Sequence, residues 1–559
     1  MTSIQLPRTL CRFVANLYAG NGCRIAAAGG LHEGFSVRSG IRQGCPLSPL
    51  LFALCGDLLL RRLHKALPED LLRAYADDTA LVSGDVLRSA ATFVPLFAEF
   101  AALSGLTLNL SKTVFIPLND ETLETFRGQL EHRFPGWGAA GVRHWAECLG
   151  FVFGPEGSTR TWQKALAKVN LRTELWASLG LGLHFTSVAY NVYITSVLSF
   201  LLQLEMLPEE WPTTEAAAMR RLVPGPANWV RPDDLRALRL HHGMPQGFAD
   251  MREVSLAARF RVAHREAAAS GGLSVGRSVR RLDALYAGTV HIARGGRWRG
   301  WYMHSQYHNL AEALSTMQAK GITIASVEDQ LGAHTPRPHS CGQVKRLAHG
   351  VQKAARSALA FSQPSAAEPR LRSKLECWTL PLFPRLRAAR AELVTGRLRK
   401  LVPPKVLAAV LRTWYNGWCS KRRFQGKGPC LFGCSMGEDA VEHYMRCSKI
   451  YLHGCTRLRL PRRPAVEERG LSFMLLDPPS ELPDEQLVLR ALLLTAAYRL
   501  HCTLRLRPPF CEDEVLRRAL DQAAKEAARG HSKATAILDG VWIPAAAPRE
   551  GHITGAADL

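Results

Sequence analysis

Two adjacent carboxylates, Asp77 and Asp78, stand between the apolar runs of segment 71–82. Short apolar runs on either side of a polar break are typical of a β-hairpin, so we predict the two acids at its tip and a buried strand on each side. Two like charges in a tight turn are unfavourable unless a cation compensates them, and Mg²⁺ prefers carboxylate oxygens. The alternative is an ordinary surface turn that carries two acids.

Three further motifs flank this pair in a fixed order. An R-Q-G-x-P-L-S-P block begins at Arg42, a G-L-x-L-N-x-S-K segment ends at Lys112, and a C-L-G-F segment begins at Cys148. Together with the Y-A-D-D box at 75–78, the set resembles the palm of a reverse transcriptase. The resemblance is greatest to the non-LTR (LINE-type) retrotransposons. It covers residues 1 to about 205 and is patchy beyond them.

The resemblance implies a role for each motif in RNA-directed DNA synthesis. Asp77 and Asp78 would hold catalytic Mg²⁺. The implied partners are an RNA template, a DNA primer or target, and dNTPs. Residues implied to line the nucleotide and template are Arg42, Gln43, Gly44 and Lys112. Residues implied to grip the primer end are Cys148, Leu149, Gly150 and Phe151. For Lys112, an ordinary solvated lysine is an equal alternative.

One element of the family pattern has no counterpart in this sequence. The family palm carries another aspartate on the strand before the R-Q-G block, but Glu33 is the only acid ahead of that block and the first aspartate is Asp57. Two catalytic metals need carboxylates from both places. We therefore expect an N-terminally truncated polymerase that lacks the fingers and first catalytic strand and is inactive by itself. The alternative is a non-catalytic nucleic-acid-binding protein derived from such an element.

The resemblance also implies the fold class and the order of domains. The fold would be α+β, with a partial right-hand polymerase palm (antiparallel sheet plus helices), a helical thumb, and a mostly α C-terminal region with a small zinc cluster. The expected regions are the partial palm at 1–160, the helical thumb at 161–225, a basic, mainly helical connector at 226–425, the zinc cluster at 426–450 and a helical C-terminal region at 451–559.

A separate metal-binding pattern lies near the C-terminal end of the connector. Its candidate ligands are Cys430, Cys434, His443 and Cys447. Three thiolates and one imidazole suit a closed, tetrahedral, structural Zn²⁺ site, and His443 and Cys447 share one face of a helical turn. Non-LTR elements often carry a similar cluster. Chance spacing in a cysteine-containing chain is the alternative.

The charge balance favours a polyanionic partner. Lys and Arg number 71 against 48 acidic residues, giving a formal net charge of +23. Nucleic acid is the commonest partner of such a chain, and binding should weaken steeply with salt. Two basic segments are candidate contacts: the Arg-Gly-aromatic stretch 294–302, and a helical cluster of Arg385, Arg387, Arg390, Arg397, Arg399 and Lys400.

The remaining patterns concern location and helices. The 14 scattered cysteines favour a reducing interior, so we expect an intracellular, nuclear or cytoplasmic protein without a signal peptide or membrane span. Segment 175–204 carries no charged side chain, yet we interpret it as buried thumb helices. The oligomeric state stays open, as does any nuclease around Asp477 and Asp484. Helices are predicted at about 50–63, 163–176, 487–498 and 512–528, the second with a basic stripe; a linker is predicted near 362–367.

Overall fold

The structure is a computed structural model of the full chain. It describes residues 7–37, 40–118, 121–226, 229–269, 306–323, 326–327, 350–359, 367–435, 437–463, 465–506 and 512–541. The chain divides into two compact units, residues 1–158 and residues 159–559. The basic stretch 294–302 and residues 362–366 of the expected linker lie outside the described residues.

The first unit mixes helices with short strands. Its elements in order are α1 Arg8–Tyr18, β1 Gly22–Ala27, β2 Gly30–Ser36, α2 Ser48–Ala66, β3 Leu71–Tyr75, β4 Asp78–Val82, α3 Val86–Ser104, β5 Val114–Phe115, α4 Leu123–Arg133, β6 Gly141–Val142, β7 Ala146–Cys148 and β8 Phe151–Phe153. The described strands form two-stranded sheets: β1–β2, β3–β4 and β7–β8 are antiparallel, and β5–β6 is parallel. The predicted α+β class is confirmed at this coarse level.

The core of the first unit lies beneath α2 and α3. Leu63 of α2 packs with Phe93 of α3, and the cluster continues through Phe126 and Leu130 of α4 to Trp137. The rings of Phe93 and Trp137 lie 5.6 Å apart. Burial of such large apolar side chains is the main term that stabilises the unit. Strands β5 and β6 contribute Phe115 and Val142 to the same cluster.

Helix α2 follows from the prolines of the R-Q-G block. It begins at Ser48 with Pro49 in its first turn, where the missing amide hydrogen breaks no helical bond. The next long helix, α3, is capped by the Asp85 side chain, which accepts from the amide of Arg88 at 3.0 Å, and ends at Gly105 with φ of 73°. The predicted helix at about 50–63 is therefore confirmed, and it is somewhat longer.

The second unit is helical in its described part. Its helices are α5 Gly157–Arg160 at the boundary, α6 Gln163–Ser178, α7 Gly182–Ala189, α8 Trp211–Leu222, α9 Pro232–Arg236, α10 Met251–Ala269, α11 Gln306–Ala319, α12 Ala367–Glu376, α13 Pro384–Leu401, α14 Pro404–Trp414, α15 Val441–Tyr444, α16 Ser448–Arg457, α17 Val466–Phe473, α18 Asp484–Leu504, α19 Asp513–Ala528 and α20 Ser532–Val541. The helices predicted at 163–176, 487–498 and 512–528 correspond to α6, α18 and α19. The expected region boundaries remain predictions.

The uncharged segment 175–204 is broken into short helical pieces. The end of α6 and α7 are followed by a π-helical turn at Tyr190–Ile194 and by two 3₁₀ turns, at Thr195–Leu198 and Leu201–Gln203. The segment buries Tyr190, Ile194 and Leu202 completely. No continuous helix of membrane-spanning length forms there.

Two other described helices are long and apolar enough to cross a bilayer. They are α3, with 22% of its most apolar stretch buried, and α18, with 78% buried. Helix α18 carries Arg490 and His501, both buried and both paired with acids, Asp477 and Asp439. Helix α18 is thus a central packing element of the second unit.

Candidate metal and nucleic-acid sites

The two adjacent acids lie at the tip of a β-hairpin. Strands β3 and β4 pair in antiparallel register, with Tyr75 opposite Asp78 and Leu72 opposite Leu81. The turn between them is Ala76-Asp77, and Ala76 takes a φ of 53°, which is unusual for a residue with a side chain. The predicted hairpin is confirmed, and both carboxylates are exposed to solvent.

The expectation that both strands would be buried is wrong. Leu71, Tyr75 and Val82 are 49%, 70% and 50% exposed. Within the described residues, β3 and β4 pair only with each other, and the Leu72–Leu81 pair is the part of the hairpin that packs against the core. A two-stranded ribbon has two faces and two edges, and one packed cross-strand pair covers only a fraction of them.

The ligands available to a metal at this tip are few. Two exposed carboxylates on consecutive residues offer the oxygen donors that Mg²⁺ selects. Among the described residues, no third Cys, His, Asp or Glu forms a close group with them; the group of that kind that the structure does contain lies elsewhere in the chain. The pair therefore fits one hard cation that keeps several waters, and supplies fewer carboxylates than a two-metal centre uses.

The C-L-G-F segment forms a second hairpin. Strands β7 and β8 place Cys148 opposite Phe151, and the turn residues Leu149 and Gly150 both have positive φ, 51° and 79°. Burial raises the pKa of the Cys148 thiol, and the negative charge of Asp78 raises it further. The tips of the two hairpins are therefore near neighbours in the folded first unit.

The R-Q-G block mainly connects helix α1 to helix α2 through hydrogen bonds of Arg42. The Arg42 guanidinium donates to the carbonyl oxygen of Leu17 at 2.9 Å and to the side-chain oxygen of Asn21. The hydroxyl of Ser48 donates to the Arg42 carbonyl at 2.6 Å. Arg42 thus fastens the end of α1 to the start of α2. The next two positions are exposed, and Gly44 has a φ of 87°, which favours glycine.

Lys112 ends a short 3₁₀ turn, Leu110–Lys112. The Asn109 side chain accepts from its amide at 3.3 Å and from the Ser111 hydroxyl at 2.8 Å. The lysine side chain is exposed. This placement fits either of the two interpretations of Lys112, so its nucleotide role remains a prediction.

Three of the four predicted zinc ligands converge in the second unit. One donor atom each from Cys430, His443 and Cys447 lie within 4.8 Å of one another, and the two sulfurs are 3.9 Å apart. Zn–S bonds of about 2.3 Å in a tetrahedron place sulfurs ~3.8 Å apart. The hydrogen bond between the thiols lowers the pKa of Cys430 and raises that of Cys447 to about 12.

His443 and Cys434 are the other two predicted ligands whose surroundings bear on metal binding. His443 Nε2 is buried without a hydrogen-bond partner, and a Cβ on Gly437 would lie 2.2 Å from it, so a glycine leaves room for the ring. Cys434 stands outside the group of three, with its sulfur 3.8 Å from the Ser448 hydroxyl. It is still close enough for its charge to raise the pKa of Cys430. The three converging donors, two thiols and one imidazole, are of the kind that binds Zn²⁺, and Cys434 remains the predicted fourth ligand.

Comparison with known proteins bears on the first unit. Residues 1–151 match the family described as reverse transcriptase (RNA-dependent DNA polymerase). The first unit resembles a reverse transcriptase. The chain is also 31% identical, over 112 residues, to the Retrovirus-related Pol polyprotein from type-2 retrotransposable element R2DM of Drosophila melanogaster. That alignment covers 19% of this chain and 10% of the relative. The resemblance to non-LTR retrotransposon proteins is confirmed.

A buried polar network that the sequence did not reveal supports the candidate zinc cluster, which lies beyond the reverse transcriptase match. Asp439 accepts from the Tyr444 hydroxyl at 2.7 Å, from the Lys421 amide at 2.9 Å and from His501 Nε2 at 3.0 Å. Trp418 packs against both the Tyr444 and His501 rings. The network joins the cluster to α18. No spacing rule could have found it, because His501 comes from a distant helix.

The expectation that the arginine cluster of α13 follows a nucleic-acid backbone is wrong for Arg387, and two further members are bonded within the protein. The Arg387 guanidinium is buried and donates to the carbonyl oxygens of residues 375, 378, 380 and 382 at 2.6–2.8 Å. Arg390 donates to the Leu476 carbonyl, and Arg397 pairs with Asp484. These side chains serve packing, because unpaired carbonyls there would otherwise be costly. Arg399 and Lys400 remain exposed.

Proposed function

We propose that this chain is the RNA-directed DNA polymerase portion of a non-LTR retrotransposon protein and that it does not polymerise by itself. Asp77 and Asp78 would hold Mg²⁺, and the Cys148–Phe151 hairpin would seat the primer end. The single observation that supports the proposal is the effect of the Asp78 charge on the pKa of Cys148, which indicates that the acidic tip lies near the proposed primer hairpin. The family match and the retrotransposon relative support the same assignment.

The residues of the proposed site have different roles, which follow from their chemistry. Mg²⁺ at the acidic tip would stabilise the charge that develops on the transferred phosphate. Asp77 and Asp78 orient the ion from an exposed turn, so a primer terminus can reach it. Gln43, exposed beside Gly44, offers a donor and an acceptor to template or nucleotide. Arg42 acts indirectly, by fixing the loop that presents Gln43.

A second candidate function rests on a specific observation. Among the described residues, no third ligand joins the Asp77–Asp78 pair. Such a site can bind one cation without supporting two-metal catalysis. The chain by itself would then be a non-catalytic nucleic-acid-binding protein with the same partners.

Photocrosslinking tests the primer assignment independently of catalysis. A primer ending in 4-thiothymidine, annealed to an RNA template, is bound to the full chain with Mg²⁺ and irradiated. We expect mass spectrometry to recover crosslinks in peptides that contain residues 75–78 or 148–151. Crosslinks confined to the second unit would refute the proposal.

Metal binding at the tip is tested in the same protein. Mn²⁺, counted by electron paramagnetic resonance, should lose one bound ion in Asp77→Asn and Asp78→Asn. Glu69→Gln is the matched control, because Glu69 is an exposed acid in the turn before β3, at the other end of the hairpin. An unchanged number of bound Mn²⁺ ions in both aspartate variants would show that the hairpin tip does not bind the metal.

A further inference from the structure

An exposed aromatic side chain stands in a short basic loop beside the zinc cluster. The basic loop, residues 421–427, carries four cationic residues and no acid. Phe424 lies at its centre and is 61% exposed. Single exposed apolar side chains are common on protein surfaces, so the positive charges around Phe424 are what make this ring a candidate contact.

The loop is held in shape by its backbone. Residues 422–424 form a 3₁₀ turn, and the Phe424 and Gly426 amides donate to the Lys421 carbonyl at 3.0 Å and 2.8 Å. Gln425 closes the turn with a φ of 62°. The Phe424 ring is therefore presented by an ordered turn.

Both ends of the loop are anchored to the zinc cluster. At one end, the Lys421 and Arg422 amides donate to the side chain and the carbonyl oxygen of Asp439. At the other, the Asp439 amide donates to the Gly428 carbonyl at 2.9 Å and the Cys430 amide to the Gly437 carbonyl at 2.8 Å. Cys430 is itself a candidate zinc ligand, so the loop and the cluster form one small module.

Positive charge around the loop is only partly compensated. Arg422 has Glu438 at 3.7 Å, with both side chains 61% exposed, and such surface pairs bind weakly. On neighbouring α12, burial lowers the pKa of Lys374, and the positive charges of Arg370 and Arg423 lower it further. Arg422 therefore keeps an exposed positive charge that an anionic partner can reach.

We infer that the basic loop binds single-stranded nucleic acid by stacking the Phe424 ring on one base while Arg422 and Lys427 contact the flanking phosphates. The inference deepens the proposed function and rests on its nucleic-acid partner. A single strand is required because duplex bases are already stacked on each other, whereas an unpaired base offers a free face. Stacking accepts every base, so weak sequence preference is expected.

The test is a binding titration of the full, zinc-loaded chain against fluorescein-labelled oligo-dT, oligo-rU and a blunt DNA duplex. Phe424→Ala should weaken binding to both single strands by about ten-fold and leave duplex binding unchanged. Phe424→Trp should restore binding, because it keeps an aromatic face. The control is Phe383→Ala, since Phe383 is also an exposed phenylalanine of this unit, 79% exposed.

Salt dependence separates the stacking and ionic contributions. Phe424→Ala should lower affinity equally at all salt concentrations, because stacking releases no counterions. Arg422→Gln and Lys427→Gln should each reduce the slope of log affinity against log salt by roughly 0.7, the single-strand value per phosphate contact. Equal affinities of wild type and Phe424→Ala for single strands overturn this inference alone. A wild-type chain that binds none of the three probes overturns it together with the nucleic-acid part of the proposed function.

Discussion

The Asp78 carboxylate lies near enough to the Cys148 thiol for its negative charge to raise the pKa of that thiol, in addition to the effect of burial. The two residues belong to different hairpins, β3–β4 and β7–β8, about seventy positions apart in sequence. Their proximity brings the acidic tip and the C-L-G-F turn together. A primer end on one turn would thus lie beside a cation on the other.

The first prediction is that the chain has no polymerase activity by itself. The full chain should not extend a DNA primer on an RNA template with Mg²⁺ and dNTPs, because the described structure brings no third carboxylate to Asp77 and Asp78. Gel electrophoresis of labelled primer measures this. Mg²⁺-dependent extension that disappears in Asp77→Asn, but persists in Glu69→Gln, would contradict the expectation.

The second prediction concerns the zinc content of the purified protein. The purified chain should carry one Zn²⁺, and Cys430→Ser and Cys447→Ser should each lose most of it, since their sulfurs are 3.9 Å apart in a buried site. Cys434→Ser should also lower zinc affinity if Cys434 moves in as the fourth ligand. Elemental analysis after dialysis measures the content. The exposed Cys377 provides the control variant, Cys377→Ser, and equal zinc in all four variants would exclude the site.

Stability of the connector depends on Arg387. Arg387→Met should lower the free energy of unfolding by roughly 2–4 kcal/mol, because it leaves several buried carbonyl oxygens without donors. Arg399→Met on the same helix should change it by less than about 0.5 kcal/mol, because Arg399 is exposed. Urea unfolding followed by circular dichroism compares the two. Similar effects in both variants would show that the Arg387 contacts do not stabilise the fold.

The Asp439–His501 pair should make stability depend on pH. Burial disfavours charge on both groups, but their hydrogen bonds outweigh it, raising the pKa of His501 above 6.5 and lowering that of Asp439 below 3.8. The histidine contribution is thus fully present below pH 6.5 and is lost as pH rises through the folded pKa. The aspartate contribution is present above pH 3.8 and is lost as pH falls.

The measurement compares wild type with His501→Gln, both zinc-loaded, by urea unfolding between pH 5.5 and 9. The stability difference should shrink as pH rises, because the wild-type histidine becomes neutral. His241→Gln is the control, because His241 is an exposed histidine of the same unit. A difference that is constant across this range would contradict the assignment of charge to His501.

Salt should weaken nucleic-acid binding, and the cations of α13 should account for only a small part of that salt dependence. With a net charge of +23, affinity for RNA should fall steeply with ionic strength. The double variant Arg399→Gln, Lys400→Gln should reduce the salt slope by at most about 2, because it removes two cations and each phosphate contact accounts for less than one unit of slope. Fluorescence anisotropy at several salt concentrations measures the slope. A larger reduction would mean that the α13 arginines leave their internal partners to bind.

Local patterns predicted local structure well. The Y-A-D-D box gave a hairpin with the acids at its tip because apolar runs and a two-residue break specify neighbouring strands. Helix α2 began at the prolines, as expected, because proline at a helix start breaks no hydrogen bond. The His443 and Cys447 donors converged because their spacing is set by the chain itself.

The sequence by itself determined the excess of positive charge, and it predicted the hairpin tips and the three converging cysteine and histidine donors from residues close together in the chain. Only the tertiary structure decided how those side chains are used. It exposed the β3–β4 strands by covering one cross-strand pair, and buried Arg387 among carbonyls of the preceding segment. It also paired Asp439 with His501, 62 positions away. A charged side chain is exposed or internally paired according to which acceptors lie near it in the folded chain. Those acceptors come from distant parts of the sequence, so a local sequence pattern cannot identify them.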